Sequence, residues 1–316
     1  MLALLSLLAL ANAYANPGAC LGDCWTHDPG LFQRVSDGKY FRFATGNGIH
    51  VASANSIEGP WKDRGYVLPD GSSIDHEGSN NLWAPDVHFE NDTYYLYYSV
   101  STLGSQDSVI GVASSPSMEV GTWTDHGSIG LSSTPEKPYN AIDANWVLID
   151  GTPYLNWGSY WHNLYQAPMD SPLQLSDETP RNIAYNATAN HDIEASFVFN
   201  HAGWSYLTFS SGKAGGYEEQ KPAPGEEYRI VICRSLSGTD DYVDQQGQSC
   251  LESGGTTLLA SHDMVYGPGG QGIAKDENLG LVLYYHYANP SIGLSTGQYQ
   301  FGWNQLKWVD GWPVVV

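Results

Sequence analysis

Four segments of the chain share one order of polar and apolar positions. In each, an acidic residue opens a short apolar run, a polar turn follows, and an aromatic run comes next. The four acids recur at intervals of about 50–60 residues, and they are Asp28, Asp86, Asp143 and Glu194. Strand, tight turn and strand at such a period are typical of a propeller blade. The pattern therefore predicts that the four acids converge on a central axis.

Further short aromatic and β-branched runs, bounded by Gly, Asn, Asp and Pro, predict the outer strands of each blade. The outer runs of the first two blades match closely, 48–53 and 61–65 against 110–115 and 123–127. Blade one is expected at 28–68, blade three at 143–176, blade four at 194–249, and blade five around 280–287 with its end at 303–308. We therefore expect an all-β, five-bladed β-propeller that forms a single domain over residues 16–316. Blade five differs, because the Gly-rich run 267–272 stands where the other blades place an acid.

The first residues have the pattern of an export signal. Residues 2–10 are an uncharged run of Leu, Ala and Ser, and the small residues that follow, at 11–13 and 13–15, suit a signal peptidase. A basic stretch before the run is missing, and a short buried N-terminal helix is the alternative interpretation. The run is too short to span a bilayer. We expect a signal peptide at residues 1–15 and a secreted, extracellular protein.

The four cysteines are an even number, which in an exported chain favours two disulfides, and their spacing is not that of a zinc site. Three connectivities are open; pairing Cys20 with Cys24 and Cys233 with Cys250 closes the shortest loops and is preferred. Two Asn-x-Thr sequences, at Asn91 and Asn186, are candidate N-glycan acceptors.

The net charge of −21 excludes nucleic acid and anionic membranes as favourable partners. Aromatic residues make up 13% of the chain and charged residues only 15%, so many rings are expected in the walls of clefts as well as in cores. Aromatic faces suit the C–H faces of sugars, although they also suit sheet packing. We expect a neutral polysaccharide ligand and a monomer, since no apolar seam stands out.

Five short motifs, taken in order, resemble the glycoside hydrolases of family 43, and among them the endo-1,5-α-L-arabinanases. They are His27-Asp28-Pro29, Trp83-Ala84-Pro85-Asp86, Ala141-Ile142-Asp143-Ala144, Ile193-Glu194-Ala195-Ser196 and Tyr285-His286-Tyr287-Ala288. The resemblance implies that Asp28 is the general base, that Glu194 is the general acid, and that Asp143 tunes and orients the acid. It also implies a metal ion near His286 at the centre of the channel.

The same roles follow from chemistry. Glycoside hydrolysis needs one carboxylic acid to protonate the leaving oxygen and one carboxylate to activate water or attack the sugar. Carboxylates on different blades leave room for a water, which favours inversion, and a negative neighbour such as Asp143 would keep Glu194 protonated. Asp28 could instead cap a turn before Pro29. For Asp86, the favoured interpretation is a structural hydrogen bond that closes blade two.

The residues expected to bind substrate are His27, Trp83, Asn145, Trp157 and Ser159, with Trp161 and His162 as further wall residues. The alternative for the tryptophans is the core. A lone His in an aromatic strand, such as His286, is usually a satisfied core residue. The chemistry itself requires no cofactor, and a structural Ca²⁺ or other cation near His286 would need water to complete its ligands.

Endo or exo action depends on whether the cleft is open at both ends, which the loops 70–81, 101–108 and 212–225 decide. The expected reaction is cleavage of internal 1,5-α-L-arabinofuranosidic bonds of arabinan in pectin side chains. An exo-acting α-L-arabinofuranosidase or β-xylosidase is the alternative on the same scaffold. A carbohydrate-binding propeller without catalysis is the alternative from another class.

Overall fold

Five antiparallel sheets, each of four or five strands, are arranged around a central axis. The structure is a computed structural model that describes residues 14–188 and 190–316. The first strand of each sheet contacts the first strand of the next, and the fifth contacts the first, so the ring is closed. The predicted all-β, five-bladed propeller is confirmed. Most of the predicted signal peptide, residues 1–13, lies outside the described residues. Nowhere in the described chain is there a helix of the length and apolarity needed to cross a membrane.

The strands are numbered in chain order. Blades one and two are built from β1 (Gly30–Gln33), β2 (Tyr40–Ala44), β3 (Gly46–Asn47), β4 (His50–Ala54), β5 (Lys62–Tyr66), β6 (Asn81–Glu90), β7 (Thr93–Val100), β8 (Ser108–Ser115) and β9 (Thr124–Ser133). Short β3 pairs with β6, so it joins the sheet of blade two. Blade three contains β10 (Asn145–Ile149), β11 (Thr152–Trp157), β12 (Leu164–Ser171), β13 (Gln174–Leu175) and β14 (Arg181–Ala184).

Blade four contains β15 (Ile193–His201), β16 (Trp204–Ser211), β17 (Arg229–Ser235) and β18 (Thr256–Leu259). Blade five contains β19 (Tyr266–Asp276), β20 (Gly280–Ala288), β21 (Gln300–Val309) and β22 (Trp312–Val315). Two single turns of 3₁₀ helix cover Cys250–Glu252 and Thr296–Gln298. The outermost strands β14, β18 and β22 lie beyond the bounds expected for their blades. They were missed because each is only four residues long and carries no aromatic run.

Tight two-residue turns join the inner strands in blades two, three and four. Both turn residues have positive φ, for example 48° and 60° at Asn91 and Asp92, and 47° and 83° at Asp150 and Gly151. Such turns match the twist of antiparallel strands, and Asn, Asp and Gly tolerate them best. Asn91 is exposed at one of these turns, where a glycan can be accommodated.

The apolar core is divided into five main clusters, one at each interface between neighbouring blades. Trp157 belongs to the cluster between blades two and three, where it is fully buried against Tyr139 and Tyr165. The expectation that Trp157 walls the cleft is therefore wrong, because its side chain points from the second strand of blade three into this interface. His162 is exposed, and its ring lies against Tyr185 away from the axis.

The N-terminal segment closes the ring between blades five and one. Phe301 N–H donates to Cys24 O at 2.8 Å, and Trp61 N–H donates to Leu21 O at 2.8 Å, so this segment is bonded to both blades. The preferred disulfide pairing is present: Cys20–Cys24 lies in the segment, and Cys233–Cys250 ties β17 to a 3₁₀ turn.

Candidate active site

A cavity of about 1170 Å³ lies at the axis and is lined by residues from all five blades. Most of the residues singled out in the sequence line it: His27, Asp28, Trp83, Asp86, Asp143, Asn145, Ser159, Trp161, Glu194 and His286. The two that do not are Trp157 and His162. Residues separated by more than a hundred positions therefore meet in one cavity.

Each blade has a residue of left-handed backbone in its first strand or just before it, two positions before a residue that pairs with the second strand. These residues, with their φ angles, are Asp28 (45°), Ala84 (45°), Asp143 (60°), Ala195 (54°) and Gly270 (56°). Only two of the four recurring acids thus share a structural position. Asp86 lies two residues after it and Glu194 one residue before it, which corrects the expected equivalence of all four. A count of sequence spacing cannot detect such one- and two-residue offsets.

The backbone N–H of each left-handed residue donates to a side chain of the preceding blade. The five bonds are Asp28 to His286 Nδ1 (3.1 Å), Ala84 to Thr45 Oγ1 (2.9 Å), Asp143 to Ser99 Oγ (3.0 Å), Ala195 to Asp143 Oδ2 (3.0 Å) and Gly270 to Ser210 Oγ (3.0 Å). Four of the acceptors occupy one equivalent position on or just after a second strand. In blade three that position is Gly158, which has no side chain, so the Asp143 carboxylate takes its place. Asp143 is thereby tied to the residue that follows Glu194.

Asp28 is held as a carboxylate. Thr45 Oγ1 donates to its Oδ2 at 2.9 Å, and Nε2 of His27 lies 3.7 Å from the same oxygen. Burial alone would raise the pKa of Asp28, but His27, His286 and Thr45 together hold that pKa well below its ordinary value. Burial in turn lowers the pKa of His27, although the charge of Asp28 opposes this. Asp28 therefore keeps the ionised form that a base needs.

Glu194 and Asp143 have the opposite environment. Ser159 Oγ donates to Oε2 of Glu194 at 2.5 Å, and the Tyr228 hydroxyl donates to Oε1. Burial raises the pKa of Glu194 and the charge of Asp28 adds to the rise, while the two hydroxyls oppose it. Burial, followed by the charges of Glu194 and Asp28, raises the pKa of Asp143 well above its ordinary value. One cavity thus holds the ionised carboxylate of Asp28 together with the carboxyls of Glu194 and Asp143, whose environment favours their protonated forms.

Asp86 ties blade two to blade three. Its Oδ2 accepts from Trp146 N–H at 2.8 Å and from Asn145 Nδ2 at 3.4 Å. Oδ1 of Asn145 in turn accepts from Val198 N–H at 2.8 Å, so the inner strands of three blades are joined. This contact pattern matches the structural role expected for Asp86. Asn145 is buried and lines the cavity, with its side-chain amide already hydrogen-bonded within the protein.

His286 is almost fully buried, and its Nε2 has no hydrogen-bond partner among the described residues. Its Nδ1 lies 3.1 Å from Asp28 N and 3.4 Å from Asp28 Oδ1. When Nδ1 accepts the backbone N–H, Nε2 carries the proton; when Nδ1 is protonated toward Oδ1, Nε2 has a free lone pair. His27, Asp28 and His286 offer ligand atoms within 4.8 Å of one another. When His286 carries its proton on Nδ1, the residues therefore fit a weakly held cation, and Nε2 of His286 would be its one nitrogen ligand.

Two contributors to the site carried no signal in the sequence. Thr45 and Tyr228 are ordinary strand-end residues, and only the fold shows that their hydroxyls reach Asp28 and Glu194. The Gly-rich run of blade five did carry a signal, since its missing side chains leave space. A Cβ on Gly269 would lie 2.1 Å from the Tyr228 ring, and one on Gly270 would lie 2.7 Å from both Asp28 Oδ1 and His286 Nδ1.

The three rim loops contribute unequally to the cavity. Residues 102–105 form part of its wall, with Leu103 97% exposed at the tip. The loop 70–81 contributes only Asn81, and the loop 212–225 only Ala214. Tyr160 and Trp161, both with positive φ, line the rim beside Ser159.

Residues 65–313 match the sequence profile of glycosyl hydrolases family 43. A relative from Emericella nidulans, named arabinan endo-1,5-alpha-L-arabinosidase C, is 62% identical over 318 residues, which cover 98% of this chain and 99% of the relative. This chain belongs to glycosyl hydrolase family 43. The family 43 enzyme also superimposes on solved structures of arabinanases. The native arabinanase Arb43A of Bacillus subtilis gives a TM-score of 0.82 at 30% identity, covering 95% of this chain and all of the other. An exo-1,5-alpha-L-arabinanase from a bovine ruminal metagenomic library gives 0.82 at 25% identity, covering 93% and 99%.

Proposed function

We propose that this family 43 hydrolase is a secreted endo-1,5-α-L-arabinanase that cleaves internal bonds of arabinan, as found in pectin side chains, with inversion at the anomeric carbon. The observation that carries the chemistry is the opposite environment of two carboxyl groups in one cavity. Asp28 is stabilised as a carboxylate, while burial and negative charge favour the protonated form of Glu194. Carboxyl groups whose environments drive their pKa values apart are the expected base and acid of such a site.

In this mechanism Asp28 removes a proton from water as the water attacks the anomeric carbon. His27 and Thr45 hold the carboxylate from the side, and the backbone N–H of Asp28 is fixed by His286. Glu194 protonates the leaving oxygen, and the two hydroxyls bonded to it stabilise the carboxylate that results. The base lies on blade one and the acid on blade four, an arrangement that suits a water between base and sugar.

Asp143 serves as the positioning residue for the acid. It accepts the N–H of Ala195 at 3.0 Å, so it fixes the backbone directly after Glu194. From the sequence, the negative charge of Asp143 was also expected to keep Glu194 protonated. In the structure burial has the larger effect on the pKa of Glu194, and the charge of Asp28 adds to it.

Cleavage of internal bonds is supported by the name of the Emericella relative at 62% identity. Because an exo-acting enzyme has the same fold, the product profile is the test. With linear 1,5-α-L-arabinan, an endo enzyme releases short oligomers before free arabinose. Arabinose as the first product would instead identify an exo enzyme, and release from a xylo-oligosaccharide alone would identify a β-xylosidase. Proton NMR of the first product reports whether the anomeric configuration is inverted.

A carbohydrate-binding propeller without catalysis would keep the aromatic walls, but it has no use for two carboxyl groups whose pKa values are shifted in opposite directions. Reducing ends released from linear 1,5-arabinan distinguish the two functions. If the wild type bound arabinan but released no reducing ends, the proposed hydrolytic function would be rejected.

A cation held by His286 would add positive charge at the centre of the channel when bound. The chain's own part would be to leave Nε2 of His286 without another partner and to direct an Nδ1 proton toward Oδ1 of Asp28, which frees the Nε2 lone pair in place of the bond from the Asp28 N–H. His286→Ser tests this role, because Ser is the cap used at the same position in blades two and four and can still accept the N–H of Asp28. If a cation matters, chelation should lower the thermal midpoint of the wild type and leave that of His286→Ser unchanged. Equal responses would exclude His286 as the ligand.

Secretion, glycosylation and a monomeric state complete the proposal. N-terminal sequencing of the protein exported from a fungal host should begin near residue 14 or 16. Light scattering of the purified protein should give the mass of one chain. Retention of the complete chain inside the cell, or a dimer mass, would contradict these expectations.

A further inference from the structure

Tyr228 contacts Glu194, although its position just before β17 gives no sign of this in the sequence. Its side chain is almost completely buried, and its hydroxyl donates to Oε1 of Glu194. The ring lies against Gly269, where a Cβ would approach to 2.1 Å, and stacks near the ring of His286 at 6.1 Å between centroids. Close packing on two sides fixes where the hydroxyl lies.

Ser159 reaches the other oxygen of the same carboxyl. Its backbone forms an isolated bridge with Glu194, and its Oγ lies 2.5 Å from Oε2. The two hydroxyls come from blades three and four, so each carboxyl oxygen of Glu194 has a partner that a different blade holds in place. A hydroxyl can donate to a carboxylate or rotate to accept from a carboxylic acid, so the same atomic positions serve both protonation states.

We infer that Tyr228 and Ser159 are positioning residues that clamp the Glu194 carboxyl in one orientation and donate to it as it ionises. This inference rests on the proposed function, in which Glu194 is the acid. The titratable groups that face Glu194 are Asp28 and His27 of blade one, Asp143 of blade three, Tyr160 beside Ser159, and Tyr228 itself. Within the described residues, only the two clamping hydroxyls hydrogen-bond to its carboxyl oxygens.

Tyr228→Phe removes the hydroxyl and keeps the ring over Gly269. The carboxylate of Glu194 then loses a donor, so its ionised form is less stable and its pKa rises. We expect the alkaline limb of kcat/KM to move up by about one pH unit, and kcat to fall about tenfold with KM within about twofold. Ser159→Ala, which removes the other donor, should move the limb in the same direction.

Tyr40→Phe is the matched control. Its hydroxyl also donates to a carboxylate, that of Asp276, and neither residue lines the cavity. This variant should leave the alkaline limb in place, whatever it does to the thermal midpoint.

The experiment combines pH profiles on linear 1,5-arabinan with ¹³C NMR of protein labelled at the glutamate carboxyl carbons, with Glu194→Gln identifying the signal. A higher titration midpoint of Glu194 in Tyr228→Phe supports the clamp. An unchanged or lower midpoint, or a loss of kcat that is equal at every pH, overturns it. If the wild type does not cleave arabinan, the proposed function fails while the NMR titration still decides the clamp. If Tyr228→Phe does not fold, Ser159→Ala decides by the same criterion.

Discussion

Asp86 makes the stability of this propeller depend on pH in a direction opposite to that of most carboxylates. It is 8% exposed, and burial raises its pKa from 3.8 to about 7, although the N–H groups of Trp146 and Asn145 oppose the rise. Well below pH 3.8 the group is protonated in both the folded and the unfolded chain, so its burial does not reduce stability through ionisation. As the pH rises from 4 to 7 the unfolded chain ionises first, and stability is lost. Three pKa units correspond to at most about 4 kcal/mol at pH 8.

Asp86→Asn removes this ionisation and keeps an oxygen that can accept both N–H groups. The variant should match the wild type within about 1 kcal/mol at pH 4 and exceed it at pH 8, where the thermal midpoint should be about 5–10 °C higher. Scanning calorimetry at one scan rate from pH 4 to pH 9 measures both.

Asp125→Asn is the control with the opposite sign. Burial would raise the pKa of Asp125, but bonds from the Ser73 N–H and the Tyr98 hydroxyl outweigh it and lower that pKa. Its carboxylate therefore stabilises the fold above its unfolded pKa, and this contribution is lost as the pH falls through the folded value. Asp125→Asn should be destabilised at pH 8 and approach the wild type as the pH falls. If the difference in stability between Asp86→Asn and the wild type were the same at pH 4 and at pH 8, the reasoning for Asp86 would be refuted.

Two further contrasts follow from burial. Trp157→Ala should lower the free energy of unfolding by about 3–5 kcal/mol, because it empties a core position. Trp83→Ala, at the cavity wall, should raise KM with little change in the thermal midpoint. The reverse pattern in denaturation and kinetic assays would contradict both placements. In a glycosylating host, Asn91→Gln should remove one glycan from the intact mass. Asn186→Gln should not, because Nδ2 of Asn186 donates to Asp192 at 2.8 Å in the folded protein. A mass loss in that variant would show that Asn186 is glycosylated before this hydrogen bond forms.

The sequence was sufficient for the architecture because every blade repeats the same alternation, and a repeat is visible without coordinates. It also located Asp28, Asp143 and Glu194 in one cavity, since the first strands of a propeller must meet at the axis. His286, on the second strand of blade five, was placed there only by the family resemblance. The offset of Asp86 and Glu194 from the other two acids was not visible, because it depends on local pairing and not on the period.

The sequence also did not reveal the direction in which individual side chains point. Trp157 and Trp161 are four residues apart in an aromatic stretch, yet one is in the core and the other at the rim, because the strand ends between them. Ser159 was expected to bind substrate; it lines the cavity, and its Oγ donates to Glu194, a contact that the sequence did not reveal. Tyr228 lies just before β17, and its ring occupies the space left by Gly269 while its hydroxyl reaches Glu194. Such contacts arise from packing between blades, which no local pattern records.

The most direct test of the assigned roles compares two leaving groups. A nitrophenolate departs without a proton, whereas the sugar oxygen of arabinan needs one. Glu194→Gln should therefore lose several orders of magnitude in kcat/KM on linear 1,5-arabinan but keep most of its rate on a nitrophenyl arabino-oligosaccharide, while Asp28→Asn should lose both. Equal losses of Glu194→Gln on the two substrates, or a nitrophenyl rate that survives in Asp28→Asn, would contradict the assignment of acid and base.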